Sequence, residues 1–166
     1  GCFALGTKKL YDFIDDNLGV ELHGGHVTND PWTIGRNYKM VSLNTTLQVD
    51  LTGQANSETL GTRQYSGGGG ALNTCMGAQM SPGGKSILAL RATAKGGTVS
   101  TIVPCFKDGQ SVTIPRADID YVVTEYGIAH LKSMNVRRRV ESLIAIAHPD
   151  FREWLRSEAK TLQYIF

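Results

Sequence analysis

The sequence of 166 residues lacks the features that identify secreted, membrane-spanning or nucleic-acid-binding proteins. It has only three cysteines, Cys2, Cys75 and Cys105, and no CxxC pair, which favours free thiols in a reducing compartment over a disulfide framework. There is no run of about 18 apolar residues, and the first residues lack the basic and apolar regions of a signal peptide. The formal net charge of +2 is too small to indicate binding to nucleic acid or an anionic membrane. We therefore expect a cytoplasmic protein with neither of these partners.

The composition is that of an ordinary folded domain. Hydrophobic residues make up 41% of the chain and charged residues 19%, which is enough apolar surface for one core. The chain begins at Gly1 rather than at methionine, and residues 1–6 resemble the later part of a buried strand. We therefore expect a piece of a longer protein.

Hydrophobic periodicity predicts helices near both ends and strands between them. Apolar residues at helical spacing predict a helix after Thr7 that ends at Gly19, one over residues 136–147 and one over residues 151–162. Alternating apolar and polar residues predict one strand from Met40 to Leu51. Short apolar runs predict further strands at residues 20–22, 86–90, 99–103, 111–114 and 120–124. This order predicts an α/β or α+β domain.

Glycine is concentrated in one part of the chain. Nine of the 19 glycines lie between Tyr65 and Gly97, including the four-glycine run Gly67–Gly70 after Ser66. Glycine has no Cβ, so such a run lets backbone amides approach a ligand closely. We therefore predict a binding loop here, and the alternative is a set of tight turns.

Three common sites can be set aside. Gly84-Lys85-Ser86 resembles the end of a P-loop, but Gln79 stands where the first glycine belongs and a strand follows instead of a helix. The four-glycine run does not complete the dinucleotide fingerprint. His23 and His26 have an HxxH spacing without nearby cysteine or a paired carboxylate, so no metal site is predicted.

Two polar residues are expected near the glycine run. Glu125 follows a predicted strand and precedes a glycine turn, and ligands collect at that edge of an open α/β sheet, although a surface glutamate is the alternative. Asn44 lies on the polar side of the predicted strand 40–51. Together they predict a site in which backbone and amide donors stabilise an oxyanion.

Several segments together carry a family resemblance. They are MVSLNTTLQVDLTGQ (40–54), RQYSGGGG (63–70), GGKSI (83–87), TAKGGTVS (93–100), VTEYG (123–127) and IAHPDFR (146–152). In this order the chain closely resembles the C-terminal half of the acetyl-CoA hydrolase/transferase family, which includes 4-hydroxybutyrate and butyrate:acetate CoA-transferases. The resemblance implies a CoA-transferase-like α/β fold, an open sheet flanked by helices, with residues 1–166 forming the C-terminal domain only.

The resemblance also implies an activity and its partners. Members of the family exchange coenzyme A between acyl groups through a glutamyl-CoA thioester, so acyl-CoA and a short-chain carboxylate are the expected substrates, with no permanently bound cofactor. The nucleophilic glutamate lies in a segment before the position matching Gly1, and neither Glu58 nor Glu125 matches it. We therefore expect residues 1–166 alone to be inactive, and the missing N-terminal domain and a homo-oligomer to complete the enzyme.

By the same resemblance, individual residues receive roles. Gly67, Gly68, Gly69 and Gly70 form the loop that approaches the thioester, and Leu47 and Gly70 lie against CoA. Asn44 positions the thioester, and Glu125 orients neighbouring groups. The chain departs from the family pattern at Ala71 and Asn73, where glutamine and aspartate are common.

Two alternatives to the transferase remain open. A hydrolase of the same family differs only in whether water or a carboxylate resolves the glutamyl thioester, which depends on water exclusion. A non-catalytic CoA-binding module that docks to another chain is the other alternative.

Overall fold

The chain folds into six α-helices and eleven short strands, and the computed structural model describes all of residues 1–166. The helices are α1 (Lys8–Ile14), α2 (Gly25–Thr28), α3 (Pro31–Gly35), α4 (Ala71–Met80), α5 (Val136–Ala145) and α6 (Pro149–Thr161). The strands are β1 (Val41–Thr45), β2 (Gln48–Asp50), β3 (Ala55–Asn56), β4 (Thr59–Leu60), β5 (Arg63–Gln64), β6 (Lys85–Ala89), β7 (Thr93–Ala94), β8 (Val99–Ser100), β9 (Ile102–Val103), β10 (Tyr121–Thr124) and β11 (Gly127–His130). None of the helices combines the length and the apolar character needed to span a bilayer.

The largest sheet has four strands in the order β1-β6-β10-β11. Strands β1, β6 and β10 are parallel, and β11 returns antiparallel to β10. Thr45 pairs with Ala89, and Ala89 pairs with Val123, so the carboxyl ends of the three parallel strands lie side by side. That edge of the sheet is where an open α/β fold places its ligands.

The two faces of this sheet differ in burial. One face carries Leu88, Val122 and Ala129, which are almost fully buried, and α4 and α5 pack against the sheet. The opposite face carries Leu43 and Ile128, which are 67% and 69% exposed. The predicted α/β class, with an open sheet flanked by helices, is confirmed.

A second sheet extends the core. Its order is β3-β2-β9, and Val49 of β2 pairs in parallel with Ile102 of β9. Both side chains are fully buried and belong to the 18-residue cluster that also includes Leu88 and Leu143. One continuous core therefore joins both sheets to α5.

Polar side chains and prolines fix where helices begin. Asp30 accepts a hydrogen bond from the N–H of Thr33, and Pro31 occupies the first turn of α3. Asn135 caps α5 in the same way by accepting from Arg138 N–H. Pro149 lies in the first turn of α6, just after the end of α5 at Ala145.

The predicted strand from Met40 to Leu51 is wrong as a single element. The chain leaves the first sheet after Thr45 and enters the second at Gln48, and Leu47 N–H donates to the carbonyl of Asn56 between them. Residues 99–103 likewise split into β8 and β9. In β1 the apolar Val41 and Leu43 are exposed, whereas in β2 the apolar Val49 is buried, so the alternation of apolar and polar residues does not reveal the change of sheet.

Other sequence predictions also need correction. Residues 1–6 and 20–22 form no strand, and Phe3 and Leu5 are exposed. Residues 111–114 make only one isolated bridge, between Ile114 and Ala55. The first helix ends at Ile14 and has no buried residue. Strands require a partner at hydrogen-bonding distance, which a short apolar run does not specify.

Candidate functional site

The glycine run lies beside the carboxyl end of β1 and leads directly into α4. Gly70 is the N-cap of that ten-residue helix, and Gly69 has φ +53°, a left-handed conformation that glycine adopts without steric cost. The base of the loop is held by Glu58, whose carbonyl accepts from the N–H groups of Tyr65 and Ser66 at 2.7 and 3.0 Å. The loop is therefore anchored where it starts and fixed again where the helix begins.

A cleft of about 310 Å³ separates the loop from the end of β1. Leu47, Gly67 and Gly68 line it together. The remaining lining residues are Thr45, Thr46, Ser57, Tyr65, Ser66 and Ala71. The structure thus brings Leu47 and the first two predicted loop glycines to one cavity, with Gly69 and Gly70 continuing the same loop into α4.

The loop offers unused hydrogen-bond donors. None of the N–H groups of Gly67, Gly68, Gly69 and Gly70 donates a hydrogen bond within the chain. The first N–H groups of α4 are also at the positive end of its dipole. The four glycines are exposed or half-buried, so their N–H groups are accessible to a negatively charged or strongly polar ligand atom.

Asn44 lies under the loop and contacts α4. Its Nδ2 donates to Ser42 Oγ at 2.9 Å and to Thr74 Oγ1 at 3.0 Å, and lies 3.7 Å from Cys75 Sγ. Thr74 Oγ1 in turn donates to the carbonyl of Ala71, the first residue of α4. This network connects the end of β1 to the start of the helix, so Asn44 helps to hold the position of the loop.

Cys75 belongs to the same network and is fully buried. Its burial raises the pKa of the thiol, and hydrogen bonds from neighbouring side chains only partly oppose this. A thiol with a raised pKa stays protonated at neutral pH. Cys75 is therefore a packing residue and not a nucleophile.

Glu125 follows β10 and lies outside the glycine cleft. Its Oε2 accepts from the N–H of Ala92 at 2.9 Å, and this bond is the main cause of the lowered pKa of its carboxyl group. Strand β6 separates β10 from β1, so the structure does not bring Glu125 into the cavity that Leu47 shares with the loop. Glu125 instead ties the end of β10 to the segment after β6.

No carboxylate lines the cleft. The carboxylate of Glu58 lies beside the loop: its Oε2 would be 3.5 Å from a Cβ on Gly68, and it accepts a hydrogen bond from Thr113 Oγ1 at 2.8 Å. No group of three or more His, Cys, Asp or Glu side chains is placed to hold a metal ion. The cleft thus supplies hydrogen-bond donors but no acidic nucleophile.

Sequence reasoning missed α4 and the polar residues at the base of the loop. The apolar residues of Ala71–Met80 are spread around the helix, so helical periodicity gives little signal there. Thr113 lies 55 residues after Glu58 in the chain, yet its hydroxyl donates to the Glu58 carboxylate and accepts from the N–H of Ser57. The only local signal was the position of Ala71 directly after a glycine run, which is how a loop enters a helix N-terminus.

Comparisons with a family model and with individual proteins agree on one family. The model of the acetyl-CoA hydrolase/transferase C-terminal domain matches residues 6–159. The 4-hydroxybutyrate coenzyme A transferase of Clostridium kluyveri is 50% identical over 158 residues, which cover 95% of this chain and 37% of that protein. A more distant relative, the acetyl-CoA hydrolase of Kluyveromyces lactis, is 33% identical and is matched over 88% of this chain and 28% of its own length.

Solved structures agree with this. The crystal structure of RipA from Yersinia pestis superimposes with a TM-score of 0.92 at 42% identity, covering 98% of this chain and 37% of that one. The 4-hydroxybutyrate CoA-transferase of Porphyromonas gingivalis gives 0.79 at 42% identity, covering 95% and 35%. The predicted CoA-transferase-like fold is confirmed, and the chain spans little more than a third of the length of these relatives.

Proposed function

Because the chain belongs to the acetyl-CoA hydrolase/transferase family, whose C-terminal domain it matches, we propose that it forms part of an acyl-CoA:carboxylate CoA-transferase. The expected substrates are those of the 4-hydroxybutyrate or butyrate/acetate type. The observation that carries this proposal is the row of N–H groups from Gly67 to Gly70, none of which has an acceptor within the chain. Such donors are what a thioester carbonyl needs when it becomes a tetrahedral oxyanion.

The reaction divides between this domain and a nucleophile from outside it. A glutamate carboxylate attacks the thioester carbonyl held at the loop, and the CoA thiolate leaves to give an acyl-glutamyl anhydride. The thiolate then attacks the glutamyl carbonyl, which releases the first carboxylate and leaves a glutamyl-CoA thioester. The acceptor carboxylate resolves this thioester by the reverse sequence. The absence of any carboxylate among the residues lining the cleft supports an external nucleophile.

Asn44 and Glu125 contribute to this chemistry by holding neighbouring segments in position. Asn44 links β1 to the first turn of α4 through Thr74, so it sets the distance between the strand end and the loop. Glu125 holds Ala92 and thereby the segment that follows β6. We assign both as positioning residues. Asn44 positions the thioester, and Glu125 positions the neighbouring loop.

The experiment compares residues 1–166 with the native-length polypeptide in which this domain occurs. We expect the native-length protein to transfer CoA from butyryl-CoA to acetate and residues 1–166 alone to transfer none. CoA exchange by residues 1–166 alone would refute the external nucleophile. Absence of exchange in both would refute the transferase.

A hydrolase is the second candidate, because the acetyl-CoA hydrolase of Kluyveromyces lactis is among the relatives. The same assay separates the two. Release of free CoA at equal rates with and without acetate identifies a hydrolase, whereas formation of acetyl-CoA from butyryl-CoA and acetate, without release of free CoA, identifies a transferase. Binding of butyryl-CoA without either reaction identifies a non-catalytic CoA-binding module.

A further inference from the structure

The side chain of Asn29 lies against the glycine loop from outside the cleft. A Cβ on Gly70 would be 2.8 Å from Asn29 Nδ2, 3.1 Å from its Cγ and 3.3 Å from its Oδ1, so the carboxamide occupies the space beside this glycine. Gly70 has φ −91°, which alanine also adopts, so the backbone conformation does not require glycine here. Asn29 does not line the cleft, and it therefore acts on the loop through Gly70.

Helix α3, which begins two residues after Asn29, packs closely on α4. A Cβ on Gly77 of α4 would be 2.5 Å from the Cβ of Ile34 and 3.1 Å from the carbonyl oxygen of Pro31. The two helices approach this closely because Gly77 has no side chain. The segment that carries Asn29 is thus held against α4, which fixes the position of the carboxamide relative to Gly70.

The carboxamide of Asn29 is neutral and unpaired. Neither its Nδ2 nor its Oδ1 has a hydrogen-bond partner within the chain, and α4 has no side-chain cap. The carboxylate of Asp30 accepts instead from Thr33, from its Oγ1 at 2.8 Å and from its N–H at 2.9 Å, and these hydrogen bonds lower the pKa of that carboxyl group. The negative charge next to Asn29 in the chain is therefore held by α3 and not by the loop.

The chemistry of the side chain at position 29 affects the donors of the loop. Aspartate has the shape of asparagine, but its carboxylate is a stronger acceptor and would compete for the N–H groups of the loop. We propose that Asn29 is a positioning residue, which holds the loop at Gly70 and, as a neutral amide, leaves the N–H groups free for the thioester carbonyl. This inference rests on the proposed function for the identity of the ligand. The contact between Asn29 and Gly70 depends only on the geometry.

The first test introduces Asn29→Asp into the native-length polypeptide and measures transfer of CoA from butyryl-CoA to acetate. A residue that only fills space would leave the rate unchanged, because the two side chains have the same shape. We expect kcat to fall about a hundredfold, as when one oxyanion donor is lost, with the KM for butyryl-CoA within about twofold of the wild type. The Tm should equal or exceed that of the wild type, since the carboxylate gains hydrogen bonds.

Thr7→Asp is the matched control for the added charge. Thr7 is exposed and is the N-cap of α1, where its side chain makes no cap hydrogen bond, so the variant adds one negative charge at the start of a different helix. We expect this variant to keep the kcat of the wild type. Equal kcat for the wild type and Asn29→Asp, or equal losses in both aspartate variants, would overturn the proposal.

The second test measures the contact itself and needs no activity. Gly70→Ala is introduced into the native-length polypeptide with Asn29 present and with Asn29→Ala. We expect Gly70→Ala to lower the Tm by about 2 °C more when Asn29 is present, because the new methyl group meets the carboxamide only in that background. Equal Tm changes in the two backgrounds would overturn the contact.

Together the two tests separate this proposal from the proposed function. If the wild-type protein transfers CoA and Asn29→Asp transfers it equally well, the transferase stands and the positioning role fails. If the wild-type protein transfers no CoA but the Tm change depends on Asn29, the contact stands and the transferase fails.

Discussion

Replacing Gly84 with alanine is expected to destabilise the protein strongly, because backbone surrounds this residue. Gly84 lies in the turn between α4 and β6, where its N–H donates to the carbonyl of Ser81 at 2.9 Å. A Cβ at this position would lie 2.0 Å from the carbonyl oxygen of Ala78 and 2.8 Å from that of Met40. Both contacts are too short for a real Cβ, and neither carbonyl can be moved by a side-chain rotation.

The magnitude follows from what has to shift. Ala78 belongs to α4, and the Met40 carbonyl accepts from Lys85 N–H at 2.9 Å next to the β1–β6 pairing. Relief of the contacts must therefore move the helix or open the start of the central strand pair. Overpacking of this kind costs about 1–3 kcal/mol, and we expect a free energy of unfolding lower by about 3 kcal/mol because two backbone segments are involved. For a chain of this size that loss corresponds to a Tm lower by about 6–12 °C.

The assay is urea denaturation with thermal unfolding as a second measurement, both followed by circular dichroism. Gly25→Ala is the matched control, because a Cβ on Gly25 meets no atom within 4 Å. We expect its stability to stay within about 0.5 kcal/mol of the wild type or to rise slightly, since alanine favours a helix more than glycine does. A Gly84→Ala protein as stable as the Gly25→Ala protein would refute the packing argument.

Three further predictions concern the core and the site. Leu88→Ala should lower the free energy of unfolding by about 2–5 kcal/mol, because this side chain is fully buried in the central sheet, whereas Leu43→Ala on the open face of residues 1–166 should change it by less than about 0.5 kcal/mol; equal losses would contradict the assigned burial. Maleimide should modify the exposed Cys2 rapidly and Cys75 only after unfolding, because burial raises the pKa of the Cys75 thiol and blocks access to it; mass spectrometry of the native protein checks this, and rapid modification of both thiols would contradict it. The folded-state pKa of the Glu125 carboxyl is lowered from 4.5, so its stabilising hydrogen bond is present above that pH and is lost as pH falls through the folded pKa; Glu125→Gln should therefore be less stable than the wild type near neutral pH and similar to it in acid, and a stability difference that does not depend on pH would exclude this linkage.

Local patterns predicted those elements whose apolar residues follow a regular spacing within one segment. Helix α5 and strands β6 and β10 were found because their apolar spacing is regular and turn or cap residues bound them. The family resemblance was also confirmed, since it depends on ordered motifs over most of the chain. Helix α4 was missed because its apolar residues do not favour one face.

The candidate site was predicted in part. Leu47, Gly67 and Gly68 line one cleft, because the motif fixes which residues lie at the strand end and in the loop, and their contacts with CoA stay a prediction. The position of Glu125 was not predictable in this way. It depends on the strand order β1-β6-β10, which places a whole strand between it and the cleft.

The sequence by itself determined the α/β class, the family and the glycine run, because these depend on residue type and local spacing. The tertiary structure alone decided that the alternating segment 40–51 serves two sheets, that Asn44 reaches Thr74 on α4, and that Leu47 lines one cleft with Gly67 and Gly68. The physical reason is that pairing partners, cavities and hydrogen-bond networks join residues far apart in the chain, and no local pattern specifies which of them meet.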